Sequence, residues 1–390
     1  VTALGTRVRL PLPDGSITVH QLGGPGEWTP SPGPPASRVA FAAAHVVADP
    51  LADNTPGAPA VLDWEATLAF RRHLWSHGFG VAEAMDTAQR GMGLDWPTAA
   101  ELVRRSAAEA AACGGRIAAG VGTDHAPAVL TSLDQVLDSY REQLAEVVEA
   151  GAQPVLMCSR QLAALARGPE DYHRVYAALL AETPRPVILH WLGTAFDPAL
   201  AGYWGGADVA ESTAHFLALI REHAGAVDGV KVSLLDADHE VGLRRGLPAG
   251  VRCYTGDDFN YPELIAGDER GHSDALLGIF DPIAPVASAA LRALDGGSVR
   301  TFQELLAPTV PLSRHLFGAP TFHYKTGVVF LAWLAGHQRG FVMVGGMQSA
   351  RGLPHLAETL RLADAAGLLP DPELAAWRWN RLLALAGVAE

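Results

Sequence analysis

The chain has 390 residues, nearly half of them apolar, enough to bury a large core. Its longest apolar-rich windows, such as Gly327 to Gly336, are short and broken by Gly, which excludes a membrane span. A formal charge of −13 lacks the concentrated basic face that phosphate backbones need, which excludes a nucleic-acid partner.

Residues 5–22 read as a hairpin, because RVRLPLP and SITVHQL alternate around the turn pair Asp14-Gly15. No apolar h-region follows Arg7 and Arg9, so no signal peptide is read there and a cytoplasmic location is expected. Residues 23–37 form a Pro/Gly-rich linker, closing an N-terminal unit over 1–37. From there short apolar runs alternate with longer periodic segments to about residue 285. The predicted strands are Val39–His45, Gly80–Met85, Arg116–Gly122, Gln153–Cys158, Pro186–His190, Gly229–Ser233, Gly250–Tyr254 and Ala275–Phe280. The predicted helices include Trp64–His77 with Asp63 as its cap, Thr98–Cys113 after Pro97, Ser132–Ala150, Pro169–Glu182 and Asp208–His223. Eight alternations in about 250 residues predict an α/β fold, a (β/α)8 TIM barrel over 38–285. A helical segment, 286–390, packs on it. No GxGxxG follows the first strand, which weakens a Rossmann reading. The loop Leu192 to Ala207, with Phe196, Tyr203 and Trp204, is a predicted lid. Cys113, Cys158 and Cys253 form no ligand pair and are expected as reduced thiols.

Barrels place their active sites at the C-terminal ends of the strands. Those ends carry His45, Asp86, Thr87, Arg160, His190, Lys231, Asp257, Asp258 and Asp281, a polar ring suited to a hydroxylated substrate. Of 29 basic residues only Lys231 and Lys325 are lysine. Arginine covers solvation and ion pairs but cannot form an imine. Lys231 lies inside the apolar run DGVKVSLL, where desolvation favours the neutral amine and equips it to attack a carbonyl. Lys325 opens a helix after TFHY, where a structural role is expected. His190 closes the preceding strand, about 5 Å away, within reach to shuttle protons.

DGVKVSLLD resembles the sixth strand of the dihydrodipicolinate synthase and N-acetylneuraminate lyase superfamily, with Lys231 on the Schiff-base lysine. PVILHWLG is similar to its fifth strand, with His190 where a tyrosine normally stands. YTGDDFNYPELIAGDERGHSDALLGIF is similar to its strand seven, helix and strand eight, and YKTGVVFLAWLAGH to its C-terminal helical segment. The resemblance covers about residues 39–370 and implies a class I aldolase or other lyase, in a divergent branch. It also implies a homo-oligomer, dimer or tetramer, with a small carbonyl substrate, no cofactor and no metal. Two departures bear on the substrate. The family's carboxylate-binding turn after strand two is here MDTAQRG, where Asp86 repels an anion and only Thr87 corresponds. Cys158-Ser159-Arg160 replaces the tyrosine pair after strand four, although Arg160 offers a carboxylate clamp. A neutral, sugar-derived or otherwise hydroxylated carbonyl compound is therefore expected.

Two other readings stay open. A metal-dependent barrel enzyme would use His45, Asp86, His190 and Asp257 as ligands to Mn²⁺, Mg²⁺ or Zn²⁺, but no HxH or HExxH motif supports it. A non-catalytic sugar-binding barrel would leave the lone strand lysine unexplained.

Overall fold

A computed structural model describes residues 6–31 and 33–388. The first residue of the predicted hairpin span, Pro32 of the linker and the two C-terminal residues fall outside that range. The hairpin pairs β1 (Arg7–Pro11) with β2 (Ile17–Gln21), antiparallel, with Arg7 opposite Gln21 and Pro11 opposite Ile17. Its turn uses Gly15 at φ +83°, a conformation that costs glycine nothing, and Asp14 accepts from the Ser16 amide at 2.9 Å.

Eight parallel strands follow and close on themselves. They are β3 (Ala40–Ala43), β4 (Gly80–Glu83), β5 (Ile117–Val121), β6 (Gln153–Leu156), β7 (Val187–Leu192), β8 (Val227–Ser233), β9 (Arg252–Thr255) and β10 (Asp274–Leu277). Each pairs with the next, and β10 returns to pair with β3. The predicted TIM barrel is the observed fold. Most predicted strands overran the pairing by one to three residues, because apolar runs continue into the loops at the mouth. Strand β7 instead extends past His190 to Leu192.

Three helix starts follow directly from local chemistry. Asp63, Ser132 and Asp208 each accept from a backbone amide of the first turn, so the helices Trp64–Ser76, Leu133–Glu149 and Val209–Glu222 begin where predicted. The second helix starts earlier than expected, at Trp96. Asp95 caps it, and Pro97 sits in the first turn, where its missing N–H costs no hydrogen bond. Within the barrel, the helices Arg160–Leu165 and Ala237–Gly246 were not located from sequence, and the helices of the C-terminal segment were expected only collectively.

Side chains on the strands divide into two layers. Phe41, Ala82, Val155, Ile188, Tyr254 and Leu276 pack inside the barrel. The alternating positions, among them Val81, Val121, Leu189, Val230 and Val232, pack under the surrounding helices. One cluster runs from the hairpin (Val8, Leu10) through the barrel to Trp379 and Leu383 of the helix Pro372–Leu385. The Trp379 indole donates to the Arg9 carbonyl at 2.7 Å. The expected unit boundary at 285 falls inside the helix Ala284–Asp295, which is continuous with this core.

Candidate active site at the mouth of the barrel

Val230 and Val232 face the helices, so strand alternation turns Lys231 toward the lumen, where it is 7 % exposed. Gly256, just past β9, makes that placement possible. A Cβ there would lie 2.2 Å from the Ser233 hydroxyl and 2.9 Å from Cε of Lys231. Burial lowers the pKa of the Lys231 ammonium, while the carboxylates of Asp86 and Asp258 pull it back up.

His190 is the direct register partner of Lys231 on the neighbouring strand. Its Nε2 lies 3.2 Å from Ser233 Oγ, and its Nδ1 is buried with no hydrogen-bond partner. Burial, reinforced by the Lys231 charge, holds its pKa well below the usual histidine value, so the ring is neutral at physiological pH. Asp258 accepts from the Ile279 amide at 2.8 Å, and burial lifts its carboxyl well above the usual range.

The turn after β4 aims Asp86. Ala84 adopts φ +50°, a left-handed conformation that a residue with a Cβ adopts only at a cost, and the next residue, Met85, packs in the lumen. Thr87 hydrogen-bonds the Tyr324 hydroxyl at 2.8 Å. The Nζ of Lys325 donates to the Phe322 carbonyl at 3.1 Å and lies 4.8 Å from the centre of the Tyr324 ring. Burial pushes Lys325 down to about 8, against the pull of Asp86; Arg160 and Asp197 also act on it. Both lysines of the chain therefore sit in the field of one carboxylate, Asp86. Tyr324 and Lys325 lie next to the candidate site, and the sequence reading, which expected a structural role for Lys325, placed neither there. The available signal was lysine rarity, which marks Lys325 as strongly as Lys231.

A cavity of about 310 Å³ opens at the ends of β4 to β7, with Asp86, Arg90, Asp124, Arg160, His190 and Asp197 among its walls. Lys231 is not one of those walls, but its register partner His190 and its charge partner Asp86 are. Arg90 is fully engaged. It grips Asp124, donates to Gln143 at 2.9 Å and reaches the carbonyls of Ala84 and Gly120. Burial works against the Asp124 charge, but Arg90 outweighs it and holds that carboxyl below its ordinary value. Arg160 gives its Nε to Asp197 at 2.5 Å, and its side chain is otherwise 60 % exposed. Cys158, on the same wall, is kept a thiol by burial, which pushes it up to about 12.

The polar ring read from the sequence separates into parts. Lys231, His190, Asp86, Thr87, Arg160 and Asp258 gather on the Lys231 side. His45 and Asp281 instead pair with each other, Nδ1 to Oδ2 at 2.8 Å, both buried. Asp281 borders a different cavity of about 360 Å³, walled also by Trp28, Phe70, His73, His77 and His337. Asp257 uses both carboxylate oxygens on the local turn, accepting from the amides of Phe259 and Asn260 and from the Asn260 side chain. The metal set His45, Asp86, His190 and Asp257 is accordingly not assembled. Among the described residues, the three-ligand group close enough to hold an ion lies elsewhere, at His173, Glu222 and His223. The predicted lid aromatics are anchored: Trp204 stacks on Phe216 at 4.3 Å, and Phe196, Tyr203 and Trp204 are at most 9 % exposed. Of the predicted lid, Leu192, Asp197 and Leu200 border the mouth.

Solved structures share this architecture. Dihydrodipicolinate synthase from Aquifex aeolicus superposes with a TM-score of 0.63 at 12 % identity, covering 85 % of this chain and 99 % of that one. The Thermotoga maritima dihydrodipicolinate synthase gives 0.62 at 16 %, covering 85 % and 99 %. The 4-hydroxy-tetrahydrodipicolinate synthase of Methylacidiphilum fumariolicum SolV gives 0.62 at 17 %, covering 90 % and 98 %. The resemblance read from the sequence is thus borne out at the level of the fold. No curated protein matches the chain. Residues 8–388 match the family described as "Protein of unknown function (DUF993)", and the chain belongs to that family, on a barrel of the dihydrodipicolinate synthase type.

Proposed function

We propose that the protein is a Schiff-base-forming lyase or aldolase that acts on a hydroxylated, sugar-derived carbonyl compound through Lys231. The observation that carries this reading is a buried lysine on the sixth barrel strand, in register with a neutral histidine, in a chain with one other lysine. The neutral amine of Lys231 attacks the substrate carbonyl, and loss of water leaves an iminium that accepts the electron pair of a breaking C–C bond, or that of an α C–H bond, after which the enamine expels a β-hydroxyl that leaves as water with the C–O pair. His190, uncharged and with a free ring nitrogen, takes up and returns the protons of carbinolamine dehydration and bond cleavage. Asp86, Thr87, Arg160 and Asp258 meet the substrate hydroxyls. The solved structures of this fold that are dihydrodipicolinate synthases support lyase chemistry in general terms.

Borohydride reduction in the presence of candidate hydroxyketones tests the reading directly. Intact mass reports the adduct, and peptide mapping assigns it without ambiguity, because the chain has only two lysines. The expected adduct is on Lys231, and Lys231→Arg, still folded by circular dichroism, loses trapping and turnover. An adduct on Lys325, or near-normal turnover in Lys231→Arg, rejects it. The same reading carries a homo-oligomer, dimer or tetramer. Light scattering at the mass of one 41.1 kDa chain rejects that part.

A further inference from the structure

We propose that His173, Glu222 and His223 form a binding site for a zinc-class transition-metal ion on the outer face of the barrel. His173 lies on the helix Pro169–Glu182. Glu222 ends the neighbouring helix Val209–Glu222, and His223 is its C-terminal cap residue. One ligand atom from each, two imidazole nitrogens and a carboxylate oxygen, lies within 4.8 Å of the others. His173 Nε2 is 2.8 Å from one oxygen of Glu222, and His223 Nε2 is 3.7 Å from the other.

An ordinary surface ion pair accounts for His173 and Glu222 but not for His223. Its Nε2 is enclosed, has no hydrogen-bond partner and lies beyond hydrogen-bond reach of the carboxylate it faces. An unpaired buried nitrogen is costly unless something takes its lone pair. The two rings are 5.9 Å apart, centre to centre. Ligand nitrogens about 2.0–2.1 Å from a tetrahedral ion put two such rings at roughly that separation. Two imidazoles and one carboxylate suit Zn²⁺, whereas Mg²⁺ and Ca²⁺ take oxygen ligands. The side chains of His173 and Glu222 are 42 % and 59 % exposed, which leaves water access for a fourth position.

The ion would clip together two helices that frame the β7 loop. Trp204 of that loop stacks on Phe216 of one helix and packs on Tyr176 of the other, at 4.3 and 4.7 Å. Asp197, earlier in the loop, reaches the mouth. The site is thus placed to stiffen the wall of the active site without touching its reacting groups.

The test uses the full chain, dialysed against chelator and then titrated with Zn²⁺, with Co²⁺ as a spectroscopic probe. One equivalent should bind, Co²⁺ should give the visible absorption of a tetrahedral site, and Zn²⁺ should raise the unfolding midpoint by a few degrees, on the order expected of a ligand that binds only the native state. His173→Ala and His223→Ala should each weaken binding at least ~10-fold while circular dichroism stays unchanged. His73→Ala, in the separate imidazole group near Asp281, should leave binding intact. Absence of binding to the native chain overturns the proposal. So does binding that survives both ligand variants, or binding lost in His73→Ala.

Discussion

A single hydrogen atom at position 256 decides whether the proposed nucleophile fits. Any Cβ there meets Ser233 Oγ and Lys231 Cε inside contact distance and also lies 2.8 Å from the Val232 carbonyl, whose strand cannot yield without breaking its pairing with β7 and β9. Gly256→Ala should therefore leave the fold intact, as judged by circular dichroism, and cut the rate of borohydride trapping at least tenfold. Unchanged trapping would show that the lysine is not confined there. His190→Ala should slow turnover by roughly 10²–10⁴, the usual range for a general acid–base group, while some trapping persists. Asp86 opposes the effect of burial on Lys231. Its carboxylate raises the lysine pKa against the lowering effect of burial, so removing it lets the amine deprotonate at lower pH. In Asp86→Asn the acid limb of the trapping-rate profile should move to lower pH. A limb that stays in place, or moves to higher pH, contradicts this electrostatic assignment.

Between elements, two buried acidic groups hold the barrel in opposite ways. Arg71 on the first barrel helix forks onto Glu83 at the end of β4, with both contacts at 2.8 Å and both side chains fully buried. It also donates to the His45 carbonyl at the end of β3. Arg71→Met should destabilise the protein by about 3–5 kcal/mol, because it strands a buried carboxylate, and Arg71→Met with Glu83→Leu should recover much of that loss in chemical denaturation. Glu240, on the helix Ala237–Gly246, is kept protonated by burial, with its pKa pushed up to about 8; Thr255 and Ser273 hydrogen-bond it. A carboxyl whose folded pKa is raised favours the folded state fully only below its unfolded value. Stability then falls as pH climbs from about 4.5 toward 8. Glu240→Gln should raise the unfolding midpoint at pH 8 much more than at pH 5, and an equal shift at both would contradict the assignment. That helix also shows where sequence legibility ends. Its residues ADHEVGLRRG bury only Glu240 and Leu243, so no apolar stripe marks it. The helix Trp64–Ser76, with its cap and its buried Phe70 and Leu74, was legible for the opposite reason. Strand order and the lumen position of Lys231 followed from alternation. The Thr87–Tyr324 contact joins residues 237 positions apart, and the mutual pairing of His45 and Asp281 spans 236, so no local pattern encodes either.

Over the whole molecule, charge is arranged against anionic ligands. The chain carries −13, so its far field repels an anion approaching the mouth. Close in, each arginine on the cavity wall already has a carboxylate, Arg90 with Asp124 and Arg160 with Asp197. Asp86 borders the same cavity, offsets the charge of both lysines and occupies the end of β4. A carboxylate entering here meets an Arg160 charge already offset by Asp197, so it gains little net attraction while losing its own hydration. A hydroxyl group has no such cost, because it can donate to Asp86 and accept from Arg160 at once. A neutral hydroxyketone such as dihydroxyacetone should therefore be trapped on Lys231 faster than pyruvate at equal concentration. Asp197→Asn, which frees Arg160, should narrow the gap by favouring the anion. Raising the ionic strength should also narrow it, by screening the acidic surface. Pyruvate trapping as fast as the neutral ketone in the unmodified protein at low salt would overturn this account of the mouth, while leaving Lys231 as the nucleophile.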